Sequence, residues 1–188
     1  QSDFEVIGSN KPEADAEVIL LTNSLMKAAG LRNYTFKVGH IGVIRGILGQ
    51  ENVDEKVQNA VLQRMDKKEY NEAFNLVKSE KCRAILQGLV ELKSGKAFDT
   101  VEKMKAHVKG YDEAVAAADN LLEILRLVTE SGCEIATVDP GFGRGLEYYT
   151  GVIFEAYVPE LDIALAAADA TTESLKIVEA GRRERQPS

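Results

Sequence analysis

The first pattern along the chain is an alternation. Residues 3–7 alternate polar and apolar and stop at Gly8, the period of a short strand with Phe4 on one face and Glu5 on the other. A loop follows, and Pro12 is placed to open a helix, because its fixed φ suits the first turn. In that helix Val18, Leu21, Leu25, Met26 and Ala29 recur at helical spacing, and Gly30 is placed to end it. Residues 34–38 read as a second strand. His40 follows, and residues 41–48 form a short apolar helix that stops at Gly49. Strand and helix in turn give this opening a mixed α and β character.

Between residues 51 and 130 the pattern changes. The segment is rich in charge, holds no proline and few strand signals, and divides into four or five helices. Asn52 or Asp54 caps the first, which continues through Val57, Val61 and Met65. Residues 69–77 and 80–92 make the next two. Residues 98–108 make another, closed by Gly110, and 111–129 form the longest. There Val115, Ala118, Leu122, Leu125 and Val128 line one face, widened by Leu121, Ile124 and Leu127.

Strand signals return after Gly132. Residues 134–138 are one strand. Residues 146–158, with three tyrosines, Phe154 and several β-branched side chains, are the strongest strand in the chain. Residues 162–169 are apolar and alanine-rich and fit strand and helix alike. From Gly181 the tail has no periodic apolar face and is expected to be disordered. The pattern therefore predicts an α+β chain with a mixed portion over 1–49, an inserted all-helical block over 50–130 and strands after 131.

Composition narrows this modestly. A chain of 188 residues that is 45% hydrophobic can form one domain with a module inserted in it. A formal net charge of -7 argues against attachment to nucleic acid through bulk charge, though it is compatible with a local basic patch. Cys82 and Cys133 are too few and too far apart for a four-ligand zinc site, and read as buried, reduced thiols of an intracellular protein. No apolar run approaches the roughly 18 residues of a spanning helix. The first residues carry neither an initiator methionine nor a basic-then-apolar leader, so the sequence reads as a fragment or a processed product. His40 and His107 lack metal-pair spacing. His40, after a strand, is expected to be structural, and His107, on a lysine-flanked helix, to face solvent. Gly141, Gly143 and Gly145 lack the spacing of a dinucleotide fingerprint, and a strand follows them instead of a helix.

Two segments resemble the histidyl-tRNA synthetases, a class II synthetase family. Residues 144–155, RGLEYYTGVIFE, resemble the arginine-containing histidine-binding motif of that family and its close paralogues. QSDFE at 1–5, with Gly8 after it, and ADAEVI at 14–19 are similar to the end of class II motif 2 and the helix that follows. The family's insertion domain falls where this chain has its helical block, and 156–165 looks more like the archaeal branch than the bacterial one. The resemblance covers roughly residues 1–165, which makes 131–165 the strands that carry the histidine-binding motif and 166–188 a divergent tail. It implies a partial class II antiparallel sheet with flanking helices and an inserted all-helical domain.

The resemblance also implies roles. Gln1 and Glu5 would stand in a histidine pocket, with Glu5 facing the α-amino group, since an ammonium leaving water needs such an acceptor. Arg144 would neutralise charge where the histidine carboxylate meets the α-phosphate of ATP, a task that planar guanidinium donors suit. Arg144 is thus the candidate catalytic residue, and Gln1 and Arg144 are the candidate nucleotide contacts. Tyr149 would touch the substrate imidazole, with Tyr148 beside it on the opposite face of the strand. No protein metal ligand is implied. The implied reaction activates histidine to histidyl-adenylate with ATP and magnesium, then transfers it to tRNA(His). Implied partners are histidine, the tRNA acceptor end and a second copy in a homodimer, in the cytoplasm and away from membranes.

Parts of the family pattern have no counterpart. Motif 1, the first half of motif 2 and the anticodon-binding domain are missing. AAADATTE at 166–173 stands where the family has glycines and an Arg-Tyr-Asp triplet, so methyl groups replace close backbone approach. The chain is therefore expected to be an inactive fragment that binds histidine weakly or not at all. Two other readings stay open: a synthetase-like regulatory subunit of ATP phosphoribosyltransferase that keeps the pocket for sensing, and a non-enzymatic helical interaction module. Lys67, Lys68, Lys78, Lys81, Arg83, Lys103, Lys105 and Lys109 read as a solvated helical surface, or as a patch for a tRNA backbone.

Overall fold

Pro12 does open the first helix. In the computed structural model, which describes residues 9, 11–92, 95–143 and 151–158 and the backbone of 163–169, helix α1 spans Pro12–Ala28. Gly30, at φ 80°, ends it: its N–H donates to Lys27 C=O at 3.0 Å, and Leu31 N–H donates to Met26 C=O at 3.1 Å. The buried face differs from the one that the leucines suggest. Ala16, Val18, Ile19 and Met26 are buried with Thr22 and Asn23, whereas Leu21 and Leu25 are exposed. Thr22 and Asn23 can be buried because their polar atoms are satisfied. Thr22 donates to Val18 C=O at 2.9 Å, and Asn23 Oδ1 accepts from Tyr34 Oη at 2.7 Å.

Strand β1, Thr35–His40, runs straight into helix α2, Ile41–Gln50. His40 caps that helix, as Gly42 N–H donates to its Nδ1 at 3.0 Å. The other ring nitrogen, Nε2, lies 3.2 Å from Asn120 Oδ1, so it carries the proton and donates. Burial holds the imidazole pKa down to about 4, against which the Asn120 bond works only in part. The structural role expected of His40 is the one it has.

The middle of the chain holds α3 (Glu55–Asp66), α4 (Tyr70–Asn75), α5 (Glu80–Val90), α6 (Ala97–His107) and α7 (Asp112–Glu130). Asp54 caps α3 by accepting from Lys56 N–H, and Ser79 caps α5 by accepting from Cys82 N–H. On α7, Leu121, Ile124, Leu125 and Val128 are all buried, and the helix packs on α1, α2, α6 and β1 together. Its wide apolar face therefore serves helices and sheet at once, and the core is continuous from α1 to β3, which spans Val152–Val158. His107 corrects an expectation. Its ring is half-buried on Gly88 and its Nε2 lies 2.9 Å from Ile85 C=O, which ties α6 to α5. Lys105, two residues before it, falls on the opposite face of the helix.

Besides β1 and β3, the strands are β2 (Thr137–Val138) and β4 (Ile163–Asp169), and the described sheet has the order β2-β1-β3-β4. The β1–β3 and β3–β4 pairs are antiparallel, as expected, and β3 does pair with an amino-terminal strand. The β2–β1 pair is parallel, so the described sheet is mixed, where the resemblance implied an antiparallel one. The chain leaves β1 through α2, crosses five further helices among the described residues and returns beside β1 in the same direction, as a parallel neighbour must. Strand β4 settles the ambiguous segment and continues to Asp169, past Leu165, where a divergent tail was expected to begin. The strand expected at 3–7, the 146–150 part of the long strand and everything after 169 lie outside the described residues.

Candidate functional site

Alternation along β1 buries Phe36 and Val38 and sends Lys37 to the other face of the sheet. The β1–β3 register sets Lys37 opposite Glu155 and Thr35 opposite Tyr157. Lys37 Nζ lies 3.5 Å from Glu155 Oε2, 3.9 Å from Asp139 Oδ2 and 4.3 Å from the centroid of the Phe142 ring. One ammonium thus meets two carboxylates and an aromatic face.

Asp139 opens the turn after β2. Its N–H donates to Val38 C=O at 2.9 Å, its Oδ1 accepts from Gly141 N–H at 2.9 Å, and its C=O accepts from Phe142 N–H at 3.2 Å. This side-chain turn is a common use of aspartate before Pro-Gly. The segment is wedged between sheet and helices. A Cβ on Gly39 would lie 2.6 Å from Phe142 Cβ, and one on Gly143 would lie 3.0 Å from Leu62 C=O.

Above this face α3 and α4 leave a cleft of about 330 Å³. Lys37, Asp139, Glu155 and Tyr157 line it from the sheet side. Met65, Asp66, Lys68 and Tyr70 line it from the helical side, and Gly143 borders it. Lys68 has φ 61° and occupies the position after α3 that glycine commonly takes, its N–H donating to Met65 C=O at 2.9 Å. Burial raises the Tyr70 phenol pKa, and Asp139 adds to the effect.

The lining holds the carboxylates of Asp66, Asp139 and Glu155, the ammonium groups of Lys37 and Lys68, and the rings of Tyr70, Phe142 and Tyr157. That balance suits a small ligand with a protonated amine and a flat ring better than it suits a triphosphate. Among the described residues no group of three or more His, Cys, Asp or Glu could hold a metal ion. Neither cysteine is a ready nucleophile. Burial, with Glu51 adding to it, pushes Cys82 up to about 11, and burial raises Cys133 as well.

Every site residue expected from the sequence, namely Gln1, Glu5, Arg144, Tyr148 and Tyr149, lies outside the described residues. Of the segments that carry them, parts of the RGLEYYTGVIFE segment's surroundings are described. Gly143 borders the cleft, Gly151 C=O accepts from Ile41 N–H at 3.0 Å, and Glu155 lines the cleft. The reading of the sequence assigned no role to Lys37, Tyr70, Asp139, Glu155 or Tyr157. A usable signal existed for two of them, since Lys37 and Glu155 are the charged residues inside otherwise apolar strands. The basic residues of the helices are partly matched by their own acids: Lys81 lies 3.1 Å from Glu51, Arg83 lies 3.8 Å from Glu80, and Lys105 pairs with Asp119. Among the described residues no helix is long and apolar enough to cross a membrane.

Comparison with known proteins adds the following. A family described as Histidyl-tRNA synthetase matches residues 1–169. A histidine–tRNA ligase of Methanococcus maripaludis is 32% identical over 163 residues, covering 84% of this chain and 37% of the relative. An ATP phosphoribosyltransferase regulatory subunit of Geobacter sulfurreducens is 30% identical over 172 residues, covering 89% of this chain and 39% of the relative. The chain therefore spans well under half the length of these relatives. A solved ATP phosphoribosyltransferase regulatory subunit/histidyl-tRNA synthetase from Bacillus halodurans superposes with a TM-score of 0.77 at 24% identity, covering 91% of this chain and 46% of that one, and shares its fold.

Proposed function

Since the chain belongs to the histidyl-tRNA synthetase family, we propose that it carries the histidine-recognising part of a histidine–tRNA ligase. The observation that carries the reading is the β1–β3 ladder, which brings the end of the RGLEYYTGVIFE segment to a cleft bordered by Gly143, the residue before Arg144. Carboxylates and aromatic rings in that cleft suit an amino acid with a cationic amine and a flat side chain. In this reading Glu5 accepts the α-ammonium, Gln1 and Arg144 meet the carboxylate and nucleotide, and Tyr149 touches the imidazole, with Tyr148 beside it on the opposite face of the strand. ATP with magnesium, when bound, supplies the phosphorus at which the carboxylate is activated. What the chain's own residues do is bind, orient and neutralise charge, the means by which such sites act. The helices over 50–130 form an insertion that meets the tRNA acceptor end. The return of the chain beside β1 supports an insertion, because the helices leave and rejoin one edge of the sheet.

A second reading is favoured by one relative in particular. The Geobacter regulatory subunit matches a longer stretch than the Methanococcus ligase at nearly the same identity. In that reading the pocket serves to sense histidine. Histidine-dependent exchange of pyrophosphate into ATP, measured on the full gene product, separates the two. Exchange supports the ligase. Its absence, together with histidine-sensitive ATP phosphoribosyltransferase activity in a reconstituted complex, supports the regulatory subunit.

A further inference from the structure

We propose that Lys37 is a positioning residue, whose ammonium clamps the segment from Asp139 to Gly143 onto the sheet and so sets where the chain enters the Arg144 motif. This rests on the histidine-recognition reading for its consequence, though not for its geometry. Three contacts converge on the segment from one side, and a fourth holds the Lys37 ammonium in place. Lys37 Nζ meets Asp139 Oδ2 at 3.9 Å and lies 4.3 Å from the Phe142 centroid, while Glu155 at 3.5 Å holds the same ammonium from the neighbouring strand. Gly39 admits Phe142, since any Cβ there would sit 2.6 Å from Phe142 Cβ.

Helices close the segment from the other side. A Cβ on Gly141 would lie 2.8 Å from Val90 Cγ1, and one on Gly143 would lie 3.0 Å from Leu62 C=O and 3.1 Å from Met65 Cβ. Within the segment Asp139 Oδ1 and C=O already accept Gly141 N–H and Phe142 N–H, which leaves Oδ2 facing Lys37. The ammonium thus joins three pieces that are distant in sequence: β1, the turn after β2, and β3. A cation there neutralises two carboxylates whose mutual repulsion would otherwise push the turn off the sheet.

The test uses the whole chain with Lys37→Met and Lys37→Arg. Amide hydrogen exchange is read at Gly141 and Phe142, with Val38 and Phe154 as core references, and histidine affinity is read from amide shifts. Lys37→Met is expected to speed exchange at Gly141 and Phe142 about tenfold or more, with the references unchanged, which marks a local opening and not a loss of fold. Histidine affinity falls with it, and Lys37→Arg restores both. Unchanged exchange in Lys37→Met overturns the clamp. Faster exchange with unchanged histidine affinity overturns its role in positioning. Should the parent chain show no histidine shifts, an outcome the fragment's expected weak or absent binding allows, the exchange data alone decide the clamp. Gly39→Ala is the second variant. It displaces Phe142 with Lys37 intact, and the same local opening is expected. Slow exchange at Phe142 in that variant contradicts the proposal.

Discussion

Glu155 stands directly opposite Lys37 in the antiparallel β1–β3 ladder, with its Oε2 3.5 Å from the Lys37 ammonium. Both side chains are about one-fifth exposed, so water screens the pair only in part. A double-mutant cycle of Lys37→Met and Glu155→Gln is expected to give a coupling of about 0.5–1 kcal/mol, larger than a fully exposed pair gives. Denaturant titration at low and high salt checks it. Coupling of zero at both would remove the pair from the account.

The crossing of α2 and α7 depends on Gly46. A Cβ there would lie 2.5 Å from Ala114 N and 2.9 Å from Ala114 Cα, both backbone atoms of the partner helix. Gly46→Ala is expected to cost about 1–3 kcal/mol, since the helices must separate to admit it. Gly49→Ala, three residues on, meets only Glu113 Oε2 at 3.8 Å. That change is expected to stabilise the chain by about 0.5–1 kcal/mol through lost freedom of the unfolded backbone. Chemical denaturation of both variants tests the contrast, and equal effects would contradict it.

His40 makes the fold sensitive to acid. Its folded pKa is depressed to about 4, so its contribution is fully present above the unfolded value of about 6.5 and is lost as pH falls through the folded pKa. Protonation removes the acceptor that Gly42 N–H uses. Asp15 works in the opposite sense. Burial raises it to about 6, so its contribution is present below the unfolded value and is lost as pH rises through about 6. The difference between wild type and His40→Asn, which keeps a capping oxygen without titrating, isolates the histidine. The wild type is expected to lose stability relative to the variant between pH 6.5 and 4, and a flat difference over that window would refute the assignment.

Lys68 holds a left-handed backbone at φ 61° that favours glycine. Lys68→Gly is expected to raise stability by about 0.5–1 kcal/mol and to weaken ligand binding, because the side chain lines the cleft. A thermal melt paired with a histidine titration reads both. Lower stability in the glycine variant would mean that the side chain contributes more than its backbone costs.

The sequence made the elements legible wherever a local rule decides them. Pro12 and Gly30 bounded α1, Asp54 was one of two caps offered for α3, and residues 34–38 read as a strand where β1 lies. Legibility failed where the answer is a contact between distant segments. Leu21 and Leu25 have the right spacing for a buried face, yet α7 and the strands choose the face with Ile19 and Met26. The parallel placement of β2 depends on a crossover of many helices, and no local signal carries it. The site divides in the same way. The RGLEYYTGVIFE segment was visible as a motif, whereas the clustering of Lys37, Asp139 and Glu155 exists only once β1, β2 and β3 lie side by side.

The central claim is that the cleft beside Gly143 belongs to a histidine-recognition site. The most direct measurement is a titration of L-histidine into the isotope-labelled chain, read by backbone amide shifts, with Arg144→Ala beside it. The account predicts weak saturable binding, on the order of millimolar, with shifts at Lys37, Gly143, Glu155 and Tyr157 that the Arg144 substitution abolishes. Shifts confined to the α4–α5 groove around Arg83 and Gln87, or cleft shifts that persist in Arg144→Ala, would contradict it.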